Sequence, residues 1–215
     1  FNPKTLSTAL DFELLLTRDP DVLDRISFST NLTVNAESVE LNRFIFEVDD
    51  TLLTGSLSTV DFNQPDINFD VAINTIDIDR YLAPEQAITP TTNNQTTDDT
   101  SFASIQSLNL DGDVSIDELT VSGLTLSDVI LGMNADQGLI ELEPIQANLY
   151  QGSYRGAVNL NVNNAQPQFS MQSTLQSINI EPLSNDFIGA SYASGNGNIT
   201  VALVGSGSNA QSILN

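Results

Sequence analysis

The 215-residue sequence contains no cysteine, no histidine and no tryptophan. A hydrolase triad would therefore lack its usual base, and no thiol is present to act as a nucleophile. Zinc and iron sites lose their commonest ligands for the same reason. The absence of cysteine excludes disulfides, and it fits an oxidising compartment as well as a reducing one. We expect a chain that is not an enzyme and that holds neither a cofactor nor a metal.

Basic residues are also scarce. Lysine and arginine together number 6, against 28 aspartates and glutamates, so the formal net charge is −22. Phosphate binding needs clustered cations, so nucleic acid is excluded as a partner. The same charge argues against docking on an anionic bilayer surface.

Long apolar runs are missing as well. No run approaches the roughly 20 residues that a membrane-spanning helix needs, and no signal peptide is visible. The sequence begins at Phe1 instead of an initiator methionine, and Asn215 interrupts what reads as a starting helix. We interpret the chain as an excerpt of a longer protein.

Apolar residues nevertheless make up 40 % of the sequence, which is enough to bury a core. They alternate with polar residues, as in Val158, Leu160 and Val162 with asparagines between them. A period of two is typical of half-buried β-strands with one apolar and one wet face. We predict an all-β fold with a few short helices, in which the strands form a curved antiparallel sheet or groove.

The alternation occurs twice with the same interruption. One apolar series recurs 101 residues later, and the phase slip near Pro144 has its counterpart in the first series. Gly55 matches Gly156 at this offset, and Pro65 matches Pro167 at an offset of 102. The matching series are Val39, Leu41, Phe44, Phe46 and Val48, and Ile140, Leu142, Ile145, Ala147 and Leu149. We predict two copies of one multi-strand unit.

The repeat makes detailed structural predictions. Residues 32–82 and 131–183 should share one strand order. Asn35-Ala36-Glu37 and Asn134-Ala135-Asp136 should be equivalent turns between strands. The closing alternation of each copy, at Ile76 and Ile78 and at Ile178 and Ile180, should be a strand.

The sequence also predicts the division of the chain. A short helical turn is expected at 21–25, a last strand around 199–203, and a helix that begins at Ser208. The predicted segments are a first β unit with the short helical turn at 1–82, a flexible linker rich in Thr, Asn, Asp and Pro at 83–101, a second β unit at 102–183, and a closing strand with the start of a C-terminal helix at 184–215.

Few residues suggest chemistry. A glycosidase-type carboxylate pair is formally available, but most of the acids alternate with apolar residues and so lie on the wet face. Asp111-Gly112-Asp113 with Asp117-Glu118 has the oxygen ligands that calcium prefers, although Gly112 more simply permits a turn between strands. The stretch Tyr150–Gly156 suggests a ligand-binding aromatic pair, or tyrosines that pack across strands beside a turn or bulge at Gly152.

Four short motifs follow one another between residues 110 and 183. Residues 110–116 read LDGDVSI, 119–126 read LTVSGLTL, 149–156 read LYQGSYRG and 178–183 read INIEPL. In this order they resemble the C-terminal region of the AsmA family of bacterial envelope proteins. The resemblance implies a long β-groove linked to lipid supply and outer-membrane assembly. It also implies a periplasmic location and an inner-membrane anchor outside this sequence.

The apolar series therefore has two interpretations. With the resemblance, it lines an open groove that takes lipid acyl chains, and no residue acts chemically. Without it, the series fills the closed core of a scaffold that binds partner proteins through its strand edges. Other partners would be the rest of the longer chain and unidentified envelope proteins. The residues predicted to line the groove are Val39, Leu41, Phe44, Phe46, Val48, Ile140, Leu142, Ile145 and Leu149.

Overall fold

A computed structural model describes residues 5–15, 25–62, 64–81, 106–164, 166–190 and 193–207. The predicted linker at 83–101 and the predicted helix from Ser208 lie outside these ranges. So does the predicted helical turn at 21–25, apart from Arg25, which is the first residue of a strand.

The structure is one open, curved sheet of eleven strands. The strand order in the sheet follows the order in the sequence, and every neighbouring pair is antiparallel except β5 and β6, which are parallel. The predicted all-β class is confirmed. The strands are β1 (Leu6–Leu15), β2 (Arg25–Val34), β3 (Ser38–Val48), β4 (Thr51–Val60), β5 (Asp66–Asp77), β6 (Asn109–Val121), β7 (Leu124–Asp136), β8 (Leu139–Leu149), β9 (Gly152–Asn161), β10 (Gln168–Asn179) and β11 (Asn196–Ser206).

The repeat appears in the strand boundaries. Strands β3 and β8 begin 101 residues apart and end 101 residues apart, and so do β4 and β9. For β5 and β10 both offsets are 102. The two copies have the same strand order, as predicted. The proposed boundaries at 82 and 102 stay a prediction, because they fall outside the described residues.

The phase slip is a β-bulge in both copies. Leu41 pairs with Leu57 and Phe44 pairs with Gly55, so one extra residue on β3 is accommodated while Leu41 and Phe44 stay on one face. The same irregularity lies between Leu142 and Ile145 on β8. The first bulge contains Arg43 at φ +55°, and the second contains the cis peptide before Pro144. Bulges of this kind bend and twist a sheet.

Two predicted turns are wrong. Gly112 lies within β6, where a β-carbon would be 2.6 Å from Cδ1 of the Phe69 ring and would also meet the Phe69 carbonyl oxygen. Glycine is therefore required there by the close approach of β5. Asn134-Ala135-Asp136 continues β7, and the turn that follows is Gln137-Gly138, both with positive φ.

A short helix follows the last strand of each repeat, where the sequence pattern predicted continued strand. The helix Ile180–Ile188, called α1, begins after Asn179, whose side-chain oxygen accepts from the Glu181 N–H at 3.2 Å. In the first copy the 3-10 helix Ile78–Arg80 is capped in the same way by Asp77. Side-chain capping supplies partners for N–H groups that a helix start leaves free.

Candidate functional site

Pairing between strands places the apolar residues on one side of the sheet. Residues directly opposite one another share a face, so a row can be followed from strand to strand across all eleven strands. Two such rows contain no charged residue, and their only polar side chains are threonines. The first row is Leu6, Val34, Val39, Thr59, Ile67, Leu110, Ala135, Ile140, Leu160, Phe169 and Gly205. The second row is Thr8, Leu32, Leu41, Leu57, Phe69, Gly112, Met133, Leu142, Val158, Met171 and Leu203. We call this side the apolar face.

The opposite side, called the polar face, has a matching row. Its members are hydrophilic on ten strands and apolar only on β11, at Val204. The row is Ser7, Thr33, Glu40, Ser58, Asn68, Asp111, Asn134, Glu141, Asn159, Ser170 and Val204. The three acidic members of this row, Glu40, Asp111 and Glu141, are therefore exposed to solvent on the side away from the apolar rows.

The nine residues predicted to line a groove all lie on the apolar face. Four belong to the two rows: Val39, Leu41, Ile140 and Leu142. The other five pair with apolar-face positions of the next strand: Phe44 with Gly55, Phe46 with Leu53, Val48 with Thr51, Ile145 with Gly156 and Leu149 with Gly152. Eight of the nine are half-buried, and Phe44 is the exception at 8 % exposed.

The apolar face is open in the described part of the chain. Extensive contacts are made only between strands adjacent in the sheet and between each short helix and a strand. Toward the two sheet edges the side chains are well exposed, with Phe12 on β1 at 48 % and Leu203 on β11 at 44 %. A closed core does not form from these residues. Within the described ranges, the apolar side chains are sheltered mainly by their lateral neighbours and, beside the two short helices, by those helices.

Aromatic rings extend the predicted site onto β1 and β2. The Phe12 and Phe28 ring centroids are 5.5 Å apart, and those of Phe28 and Phe46 are 6.3 Å apart. Phe12 and Phe28 were absent from the predicted lining, although the alternation in both strands signals their face. The same holds for Phe69, which faces Gly112 across the parallel junction.

The two repeats share a tyrosine–aspartate hydrogen bond at one rim of the sheet. In the first, the Tyr81 hydroxyl donates to Asp49 Oδ2 at 3.2 Å; in the second, the Tyr150 hydroxyl donates to Asp186 Oδ2 at 2.6 Å. Asp49 and Tyr150 occupy equivalent positions in the two repeats. The residue at this position therefore accepts the hydrogen bond in the first repeat and donates it in the second. Burial, followed by the hydrogen bond and charge of Asp186, raises the pKa of Tyr150 to about 12. Burial and Asp49 also raise the pKa of Tyr81.

These contacts decide between the alternatives for Tyr150–Gly156. The Tyr154 hydroxyl is within 2.9 Å of Ser173 Oγ, so this tyrosine packs across strands. Tyr150 and Gln151 form the turn between β8 and β9, both with positive φ. Gly152 is the first residue of β9, and a β-carbon there would lie 2.7 Å from Cδ1 of Ile178. Both tyrosine hydroxyls are therefore engaged in hydrogen bonds within the fold.

The calcium alternative has no ligand cluster in the described ranges. No group of three or more acidic side chains there is close enough to hold a metal ion. The Asp111 carboxylate instead accepts from the Asn134 side-chain amide at 3.0 Å on the polar face. Two arginines are paired with carboxylates near a rim, Arg25 with Glu47 at 2.9 Å and Arg80 with Asp50 at 3.8 Å.

A long apolar face on a single curved sheet is the feature that the sequence resemblance leads one to expect. The model of the AsmA family matches residues 5–215. The chain belongs to the AsmA family. Membership of this family suggests a role related to the envelope. No curated protein and no solved structure matches the chain. In the described ranges, none of the helices has the length and apolar character needed to cross a bilayer.

Proposed function

We propose that this member of the AsmA family is a non-enzymatic periplasmic protein that binds or conducts lipid acyl chains along the apolar face, in support of outer-membrane assembly. Its inner-membrane anchor would belong to a part of the protein outside this sequence. The observation that carries the proposal is the pair of uncharged rows across all eleven strands, open on one side.

The energetics favour an acyl chain as the occupant. Each buried CH₂ contributes about 0.8 kcal/mol, so a chain that lies along the rows gains in proportion to its length. At about 4.8 Å between strands, eleven strands offer a track of roughly 50 Å. A sheet with the acids on the opposite face stays hydrated while the track is occupied.

The proposal is supported by the absence of interruption at the junction between the two repeats. Phe69 on β5 pairs with Gly112 on β6, and Ile73 pairs with Ile116. A parallel pair keeps side chains in register as an antiparallel pair does, so the apolar face passes from one repeat to the next. Acyl chains that follow the two rows therefore meet no charged side chain on crossing the junction.

The test is lipid photo-crosslinking from two adjacent positions on opposite faces. A benzophenone amino acid replaces Phe46 on the apolar face in one variant and Ile45 on the polar face in the other. Ile45 is an apolar residue that is 43 % exposed, so it controls for hydrophobicity and access. The proteins are purified from their own envelope and their adducts are identified by mass spectrometry.

We expect lipid adducts at position 46 and few at position 45. Equal labelling at both positions would mean non-specific contact with lipid. No lipid at either position, in a protein that still captures partner proteins, would favour the alternative, a scaffold that acts through its strand edges.

A further inference from the structure

The edge strand β11 lacks the features that normally prevent pairing with another strand. It contacts β10 on one side and no described strand on the other. Its sequence, NGNITVALVGS, has no charge and no proline. The opposite edge strand β1 carries Asp11 and Glu13. Charged side chains are a common protection of sheet edges, so only β1 is protected in this way.

Charge is distributed unevenly between the two edges. After residue 143 the sequence has three charged residues, Arg155, Glu181 and Asp186. Strands β10 and β11 have none. Two chains of net charge −22 repel each other, but the repulsion is least when they meet at these neutral ends. The charges farther away are screened over about 8 Å at physiological ionic strength.

The polar face is also altered at β11. Its polar row ends at Val204, which is 87 % exposed. This position is hydrophilic on the other ten strands, and a further strand beside β11 would cover part of the valine.

The apolar-face residues of β11 are symmetric in size. Going outwards from Val201, they are Ile199 and Leu203, then Gly197 and Gly205. In an antiparallel pair of identical strands with Val201 opposite Val201, each leucine faces an isoleucine and each glycine faces a glycine. A register shifted by one residue would place apolar-face residues opposite polar-face residues.

We propose that β11 pairs antiparallel with β11 of a second copy of this chain, with Val201 on the two-fold axis. A rotation about an axis perpendicular to the sheet leaves both apolar faces on the same side. The dimer would therefore carry one continuous apolar face over twice the number of strands. The contact is isologous and closes at two copies. The proposal requires no bound lipid, so it fails or succeeds independently of the proposed function.

The test uses engineered cysteines, since the chain has none of its own. Val201→Cys places two thiols opposite each other, at the roughly 4.5 to 5.5 Å between Cα atoms of paired strands, which a disulfide can span. Leu203→Cys is the matched control on the same strand and face. Its two copies would be four residues apart along the strands, roughly 14 Å, too far for a disulfide. Leu10→Cys on β1 controls for random collision.

We expect mild oxidation to convert most of Val201→Cys into a disulfide-linked dimer and to leave both control variants largely monomeric. Sedimentation of the parent chain should give twice the mass of 23.2 kDa at micromolar concentrations. The double change Thr200→Lys with Ala202→Lys, on the polar face, should give a folded monomer, because it places four like charges at the contact.

A monomeric parent chain at all accessible concentrations would overturn the proposal. Equal crosslinking from Val201→Cys and Leu203→Cys would overturn it as well, because the register around Val201 would be wrong. If a monomeric parent captures an added strand-forming peptide of unrelated sequence, the occupant of this edge is a foreign strand and not a second copy.

Discussion

Whether the apolar face is open can be tested at Phe46 by comparing two substitutions. Phe46 lies on the apolar face, is half-buried, and forms an edge-to-face pair with Phe28. Phe46→Ala removes the ring without adding a charge. It should cost about 1 to 2 kcal/mol for the partial burial and about 0.5 to 1.5 kcal/mol for the aromatic pair.

Phe46→Asp removes the same ring and adds a carboxylate. On an open face the carboxylate stays hydrated, so the aspartate variant should be only about 1 kcal/mol less stable than the alanine variant, within the range of strand propensities. In a closed core the charge would cost several kcal/mol more. The difference between the two variants thus isolates solvent access from lost packing.

The measurement is urea unfolding of the parent and both variants, with Phe44 as the internal control. Phe44 is 8 % exposed above the bulge, so Phe44→Asp should be several kcal/mol less stable than Phe44→Ala. The difference in free energy of unfolding between the Asp and Ala variants should be much smaller at position 46 than at position 44. Equal differences at the two positions would mean that the face is closed at Phe46. Because Phe44 is covered, it is also a poorer position than Phe46 for a lipid crosslinker.

Two further predictions concern the junction and the rim. Gly112→Ala should destabilise the sheet by about 1 to 3 kcal/mol in urea unfolding, because the new methyl overlaps the Phe69 ring and carbonyl,. The control Ser115→Ala, on the same strand, should change the stability little. Equal effects of the two substitutions would contradict the steric argument. The pKa of Tyr150 is raised from 10.0 to about 12, so the stability it contributes is present below pH 10 and is lost as the pH rises towards 12. Tyr150→Phe should lose about 1 kcal/mol of stability at neutral pH, and its free energy of unfolding should decline less between pH 10 and pH 12. Asp186→Asn should reduce this decline in the same way. An unchanged decline in both variants would mean that this pair does not set the pH dependence of stability.

The assignment of side chains to faces was predictable from the sequence. Alternation determines which residues share a side of a strand, and a slip repeated at the same point in two copies locates a bulge. Leu41 and Phe44 were therefore assigned to one face before any pairing was known. That the two copies share one strand order also followed from the repeat.

The pairing direction at the junction was not predictable in the same way. Alternation has the same period in parallel and antiparallel strands, so nothing in β5 or β6 distinguishes the two. Gly112 was misread for a related reason. A glycine signals either a turn or a close approach, and the choice depends on Phe69, which precedes it by more than forty residues in the sequence.

The helix α1 was missed although local signals were present. Asn179 is a favourable N-cap, and Pro182 lies within the first turn, where proline is tolerated. The alternation of Ile178 and Ile180 outweighed these signals, because a period of two over a few residues also fits the beginning of a helix. The predicted lining residues all lie on β3 and β8, because the repeat was clearest there. The rows extend across every strand, and this depends on the pairing between strands.

The parallel pair β5–β6 gives the surface a direction. Each repeat contributes five strands, an odd number, so an antiparallel junction would have turned the second repeat upside down. The parallel junction restores the orientation, and the turns after β3 and β8 therefore lie at the same rim. The second repeat is thus displaced from the first by about 24 Å, five strand spacings, without inversion. A molecule sliding along the apolar face would encounter the same bulge in the same orientation at each step, so its two directions of travel are physically distinct.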